Sequence, residues 1–247
     1  MEKHEHEHEH QVKESGWASP VDHLHVGDVS AEAINLNVEG RKLSGVVRGF
    51  GQMWQKTYKV RLSGLEKAPE EVIETWRTHF PEFWPEGNRL FIPLTGIKPG
   101  EVGVINLKAP GGLKLSTGIM VIFSDATSFS FMTPEGHMFA GMITFSAFEE
   151  DGDPVAQIQA LIRANDPLYE MSFRAGVGHK IEDEFWKGTL ANLAARFQVS
   201  NPQVTQNNIL VDPRMQWKEW RNIFKNAGIR SSLYMPVVIF KRVFRRK

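Results

Sequence analysis

The sequence predicts an α+β domain, in which an antiparallel meander is covered by one long helix toward the C-terminal end. Three observations carry this reading. Between residues 89 and 164, short segments of apolar and β-favouring residues follow one another, each bounded by Gly, Pro, Asp or Ser. The turns between them are too short for the crossovers that parallel neighbours need. Finally, Ile181, Phe185, Thr189, Leu193 and Phe197 recur at four-residue spacing beside Trp186, Leu190 and Ala194, a stripe wide enough to cover a sheet.

The elements follow in order. Residues 1–16 alternate His4, His6, His8 and His10 with glutamates and have no apolar face, so they read as a disordered low-complexity tract. The tract resembles a purification tag; a native histidine-rich stretch that binds Zn²⁺ or Ni²⁺ weakly is the other reading. Residues 17–50 form an N-terminal extension, mostly loop, with a short strand expected at Ala33 to Val38. From Gln52 to Leu62, Trp54, Tyr58, Val60 and Leu62 share one parity and Gln55, Thr57, Lys59 and Arg61 the other, the pattern of a strand with one buried face. Lys56 interrupts this pattern, falling on the apolar side.

Pro69 opens a helix with Glu70 and Glu71 behind it, and Val72, Trp76 and Phe80 line its inner face. Pro81 ends it. Six strands are then expected at Arg89–Leu94, Val102–Lys108, Leu113–Phe123, Thr127–Met132, Phe139–Phe148 and Val155–Ala164. The long helix carries Glu182, Asp183 and Glu184 in its first turn and Arg196 in its last, as the helix dipole favours.

This order resembles the helix-grip fold of the SRPBCC superfamily, which includes START lipid-transfer domains, the birch-pollen allergen group and polyketide cyclases. The resemblance spans about residues 50–199 and rests on element order, on the Trp54 to Leu62 strand and on the Phe129 to Phe148 hairpin. It implies a curved antiparallel sheet of six to seven strands wrapped on the long C-terminal helix, with an apolar cavity between them. The helix-grip domain is then residues 51–200, followed by a basic, aromatic tail at 201–247. The resemblance makes a lipophilic small molecule the expected ligand, held by Trp54, Tyr58, Trp76, Phe80, Phe129, Phe131, Phe145, Phe185 and Trp186. Lys56, Gln157, Gln159 and Arg163 are candidates for polar groups in the cavity, although strand parity places the two glutamines toward solvent. Gates are expected at Pro81–Gly87 or at the turn Pro134–His137.

Three function classes stay open: a binding or carrier protein, a cyclase- or hydrolase-type enzyme on the same cavity, and an interaction protein with a filled core. Asp125, Glu135 and His137 lie on turns whose composition explains them without catalysis. His79 and His179 read as structural, capping or surface residues. No phosphate loop, dinucleotide fingerprint or metal-spaced cluster occurs in the folded part, so no cofactor is expected. The absence of cysteine excludes disulfides, thiolate zinc sites and cysteine nucleophiles.

Charge is unevenly placed. The chain is neutral in sum, yet Arg214 to Lys247 carries +9 and residues 1–213 carry −9. Trp217, Trp220, Ile223 and Phe224 recur at helical spacing among Lys218, Arg221 and Lys225, and Lys241, Arg242, Arg245, Arg246 and Lys247 close the chain. Aromatic and basic residues in short amphipathic pieces suit an anionic membrane surface, with Trp217, Trp220, Lys241, Arg242, Arg245 and Arg246 as the contacts. Two rival readings of the tail are packing of its apolar stretch on the domain or in a dimer contact, and contact with nucleic acid, which is disfavoured because the −9 body repels it. No apolar run reaches the roughly 18–20 residues that cross a bilayer, and no apolar leader follows Met1, so the expected setting is cytoplasmic, peripheral to a membrane.

Overall fold

A computed structural model describes residues 16–108 and 114–234 of the chain. The first alternating segment forms strand β1, Met53–Arg61, with Lys56, Tyr58 and Val60 buried and the residues between them half-exposed. Helix α1, Pro69–Thr78, begins with Pro69, and the Glu71 carboxylate accepts a hydrogen bond from the Ala68 N–H at 3.1 Å. The helix buries Val72, Ile73 and Trp76, and the 3-10 turn Phe80–Phe83 adds Phe80 and Phe83 to the core.

The meander then runs through β2 (Arg89–Phe91), β3 (Val102–Lys108), β4 (Lys114–Ser124), β5 (Ser128–Met132), β6 (Phe139–Glu150) and β7 (Asp153–Ala164). Each strand pairs antiparallel with the next, and β1 returns to lie beside β7, with Trp54 opposite Ile162 and Tyr58 opposite Ile158. Helix α2, Pro167–Arg174, and helix α3, Val177–Arg196, follow. The α+β class and the long helix held on one face of an antiparallel sheet are as expected.

The strand count is not. Val204–Asp212 forms β8, antiparallel to β1, giving one eight-stranded sheet ordered β2-β3-β4-β5-β6-β7-β1-β8 rather than six or seven strands. Sequence reading takes 201–208 as a polar connector because β8 is an edge strand. Its backbone pairs on one side only and most of its side chains meet water, so no apolar alternation marks it. The expected strand at Ala33 to Val38 does not form. Its backbone crosses β3 and β4 instead of pairing, and the Ile34 N–H donates to the Asn106 side chain at 3.0 Å. Here Leu24 and Val38 build a second core with Val102, Val104 and Met120, on the far side of the sheet from α3.

The main core lies between sheet, α1 and α3. Phe145 is central to it, with its ring centroid 4.8 to 5.6 Å from those of Trp76, Phe80, Phe129, Phe131 and Trp186. Edge-to-face and offset contacts of this kind fill space as densely as aliphatic packing.

Past β8 the chain folds back onto the domain. Trp217–Lys225 is a 3-10 segment, and a helix covers 227–234. The Gln216 N–H donates to the Phe50 carbonyl at 2.7 Å, Asn222 Nδ2 to the Arg48 carbonyl at 2.7 Å, and the Ala227 N–H to the Gly136 carbonyl at 2.8 Å. The last approach needs glycine: Gly136 has φ +83°, and a Cβ there would sit 2.0 Å from the Lys225 carbonyl oxygen. Lys241, Arg242, Arg245 and Arg246 lie outside the described residues.

Phe145→Ala is expected to remove ~3–5 kcal/mol of unfolding free energy. Urea denaturation checks this, as a lowered midpoint with an unchanged slope.

Candidate functional site

The site grows from the one residue that breaks the β1 pattern. Alternation turns Trp54, Lys56 and Tyr58 toward α3, and Lys56 is fully buried there. An ammonium in an apolar interior requires an acid within reach. Helix α3 supplies two. Lys56 Nζ lies 2.7 Å from Glu182 Oε2 and 2.7 Å from Asp183 Oδ1, while the Tyr58 hydroxyl donates to Asp183 Oδ1 at 2.6 Å.

Where α3 starts decides this geometry. Gly176, at φ +78°, reverses the chain after α2 and caps α3 at Val177. Glu182 and Asp183 therefore fall in the second turn rather than the first, and they serve as partners of Lys56 rather than as dipole-favoured surface acids. The apolar stripe also shifts by one residue at this end: Ile181 is exposed and Glu182 is buried.

One cation faces two carboxylates, so their titrations separate. Burial pushes Glu182 up to about 7, with Asp183 adding to the rise and Lys56 opposing it. At Asp183 burial works against the charge, but hydrogen bonds from Lys56, Tyr58 and Gln206 outweigh it and hold the pKa below the ordinary aspartate value. Burial, with Glu182 and Asp183 close by, drives the Tyr58 phenol far above its usual range, so it stays a donor. Near neutral pH the arrangement is an ionised Lys56–Asp183 pair beside a Glu182 that still holds much of its proton.

His179 stands next to this group. Burial, then the charge of Lys56, lowers its pKa to about 4, so its imidazole is neutral at pH 7. Its ring lies 5.1 Å from Trp54 and 5.1 Å from Phe173, and its Nδ1 is buried without a hydrogen-bond partner. Trp54, Phe139, Ile162, Phe173 and His179, with the polar Gln52, Arg163 and Glu170, frame a small hollow of about 10 Å³, room for about one water.

Of the nine aromatic residues expected to hold a ligand, Trp54 borders this hollow and Tyr58 belongs to the charged group. Trp76, Phe80, Phe129, Phe131 and Phe145 pack on one another and are buried. Phe185 and Trp186 are half-buried on α3, where Phe185 meets Trp84 and Trp186 meets Phe145. A larger hollow of about 420 Å³ lies elsewhere, open and polar, among Arg48, Glu135, Lys218 and Lys225.

The turn residues do not converge. Asp125 accepts from the N–H groups of Thr127 and Ser128 in the β4–β5 turn, while Glu135 and His137 lie in the β5–β6 turn. Glu135 pairs with Lys225 at 2.7 Å, and the buried His137 accepts the Phe139 N–H at 3.0 Å. His79 pairs with Glu82 at 2.8 Å. Gln157 and Gln159 lie on the face away from α3, whereas Arg163, buried against Asp212 at 2.5 Å, also borders the small hollow. Among the described residues, no group of three or more His, Asp or Glu is arranged to hold a metal ion.

Sequence reasoning singled out Lys56 but missed its partners. The signal was present: Glu182 stands at i, i+4, i+7 and i+11 with Trp186, Thr189 and Leu193, so an acid occupies the inner face of the helix.

Two outcomes test the electrostatics. Glu182 has its folded pKa raised from 4.5 to about 7. Its contribution to stability is therefore full below pH 4.5 and is lost as pH rises through about 7. Glu182→Gln should remove that loss, gaining on the native protein by up to ~3 kcal/mol between pH 5 and pH 8; paired denaturation curves across that range measure the difference. Lys56→Met leaves the buried Glu182 and the half-buried Asp183 without their cation and should cost ~3–5 kcal/mol at pH 7, with much of the loss recovered at pH 4.

No protein-family model matches the sequence, and no curated protein matches it. Among solved structures, the chain is similar to the di-domain ARO/CYC StfQ from the steffimycin biosynthetic pathway, at 11% identity over 60% of this chain and 51% of that one, with a TM-score of 0.47. It thus spans about half the length of StfQ. Ara h 8.0201 matches at 10% identity over 60% of this chain and 99% of that chain, TM-score 0.44. Protein Ms6760 from Mycobacterium smegmatis matches at 13% identity over 70% and 98%, TM-score 0.42. At these values the likeness concerns the course of the chain and does not extend to the residues of the site.

Proposed function

We propose that this protein binds a compact lipophilic molecule carrying one carbonyl or hydroxyl oxygen, and exchanges it at a membrane surface. The observation that carries the ligand reading is the charged group sealed inside an apolar interior beside a hollow. The buried Lys56 and Glu182 cost several kcal/mol that an apolar pair of similar volume would not, and perturbed titrations of this kind cluster at functional sites. Lys56 and the protonated Glu182 are both donors, suited to an oxygen acceptor. Trp54, Phe139 and Phe173 supply the apolar wall.

The hollow of about 10 Å³ is far below the roughly 300–1,000 Å³ of a formed ligand site. On this reading α2 moves to admit the ligand. It is one short helix, it exposes Leu168 and Met171, and it joins α3 through Gly176. The gates expected at 81–87 and 134–137 are poorer candidates because neither borders the hollow, whereas Glu170 and Phe173 of α2 do.

A second reading rests on Glu182. With a pKa near 7 beside an ionised Asp183, it suits proton donation to a substrate oxygen and recovery of that proton afterwards, which fits cyclase- or hydrolase-type chemistry at the same place. The packed aromatic end supports the third reading, an interaction protein with a filled core.

Mass spectrometry of compounds extracted from natively purified protein, beside titration with an apolar fluorescent probe, separates these. A stoichiometric apolar compound, displaced by the probe and held at least about tenfold more weakly in Trp54→Ala, is the expected result. Neither compound nor probe uptake would sink the ligand reading and favour the filled core.

A further inference from the structure

The segment Trp217–Lys225 is amphipathic, yet it is mounted with its polar side inward. Asn222 donates to the carbonyls of Arg48 and Asn165 at 2.7 and 2.9 Å, and Lys225 pairs with Glu135 at 2.7 Å. The aromatic side is turned outward, although Trp217 rests edge-on against the buried Phe50, with ring centroids 5.2 Å apart. Trp217 is 66% exposed, Trp220 45% and Phe224 72%, and none of the nine residues is buried. A segment that merely covered a core would be turned the other way, since burying such large apolar side chains stabilises a fold.

The exposed aromatics are not scattered. The rings of Trp220 and Phe224 lie 6.0 Å apart, and the Arg221 guanidinium lies over the Trp220 ring at 5.7 Å. Val47, 71% exposed, shares the rim of the polar hollow with Lys218. The face is a ridge of large apolar side chains interleaved with cations.

We infer that this ridge, formed by Val47, Trp217, Lys218, Trp220, Arg221 and Phe224, inserts into the headgroup region of an anionic lipid bilayer. The inference rests on the membrane part of the proposed function and names the surface that makes contact; it does not depend on the ligand. Charge selects a bilayer over a protein partner. Within Arg214 to Tyr234 five bases stand against Glu219; Arg214 is paired with Asp212 and Lys225 with Glu135, which leaves Lys218 and Arg221 as the cations set among the exposed rings, while residues 1–213 carry −9, so a negative plane attracts this edge and repels the rest. Rings with bases beside them suit the interface, where the ring sits among headgroups and the cation reaches phosphate. No described helix is long and apolar enough to span the bilayer, so contact through this ridge is peripheral.

The test is co-sedimentation of the full chain with vesicles of phosphatidylcholine alone or mixed with phosphatidylserine. The native protein should pellet with the anionic vesicles, and added salt should release it. Trp220→Ala with Phe224→Ala should weaken partitioning at least about tenfold, and Lys218→Glu with Arg221→Glu by about fivefold or more per site. All four side chains are exposed, and matching thermal melts will verify that the variants fold. Anionic binding that both variants retain would overturn the ridge while leaving a membrane-bound protein. Failure of the native chain to bind any vesicle would overturn the membrane reading itself and leave the ridge as a surface for protein.

Discussion

Lys56 constrains more of this molecule than any residue of the aromatic core. Its ammonium is fully buried, so the fold must bring negative charge to a point on the inner face of β1. Apolar contacts tolerate a helix that slides or rotates by a residue, because one aliphatic surface serves nearly as well as another. A buried cation does not, since leaving it unpaired costs several kcal/mol. Two adjacent acids on α3 both reach Nζ only when the helix presents the boundary between them to the strand. That rotation carries Leu190, Leu193 and Ala194 into the core and leaves Ile181 and Lys180 to solvent.

The interior consequently has two ends of different character. At one, Trp76, Phe80, Phe129 and Phe145 close on each other, and the polar atoms there are the buried indole N–H groups of Trp76 and Trp84. At the other, charge, a neutral imidazole and a small hollow meet under the short helix α2. An apolar cavity running the full length of the grip would have needed smaller residues at the first end. The functional reading is confined to the second by what already fills the space.

What was legible in the sequence follows the strength of its periodic signals. Strands with one wet and one buried face, such as β1 and β7, and a helix with proline at its start, such as α1, declare themselves. Strand β8 does not, because an edge strand in water is held by backbone bonds that leave no mark on side-chain pattern. The 17–50 segment contributes single residues, Leu24 and Val38, to a second core, and single residues have no period. Helix α2 is absent from the sequence expectations, although Asp166 before Pro167 is an N-cap ahead of a first-turn proline; the Leu168 and Tyr169 N–H groups bond its carboxylate at 2.8 and 3.1 Å. The aromatic residues mark the core correctly but not its purpose, because packing and lining a cavity demand the same side chains. At the site, Lys56 stood out by parity, whereas Glu182 and Asp183 were read as ornaments of a helix start that lies five residues earlier.

The carboxylate of Asp166 has a second engagement. Besides capping α2 it accepts Asn226 Nδ2 at 2.7 Å, and the Tyr169 hydroxyl in the same helix accepts the Gly228 N–H at 3.0 Å. The arm that bears the exposed rings and the helix that roofs the hollow are therefore latched at two points. Neither can travel far alone: moving the arm breaks both bonds or draws the first turn of α2 along with it.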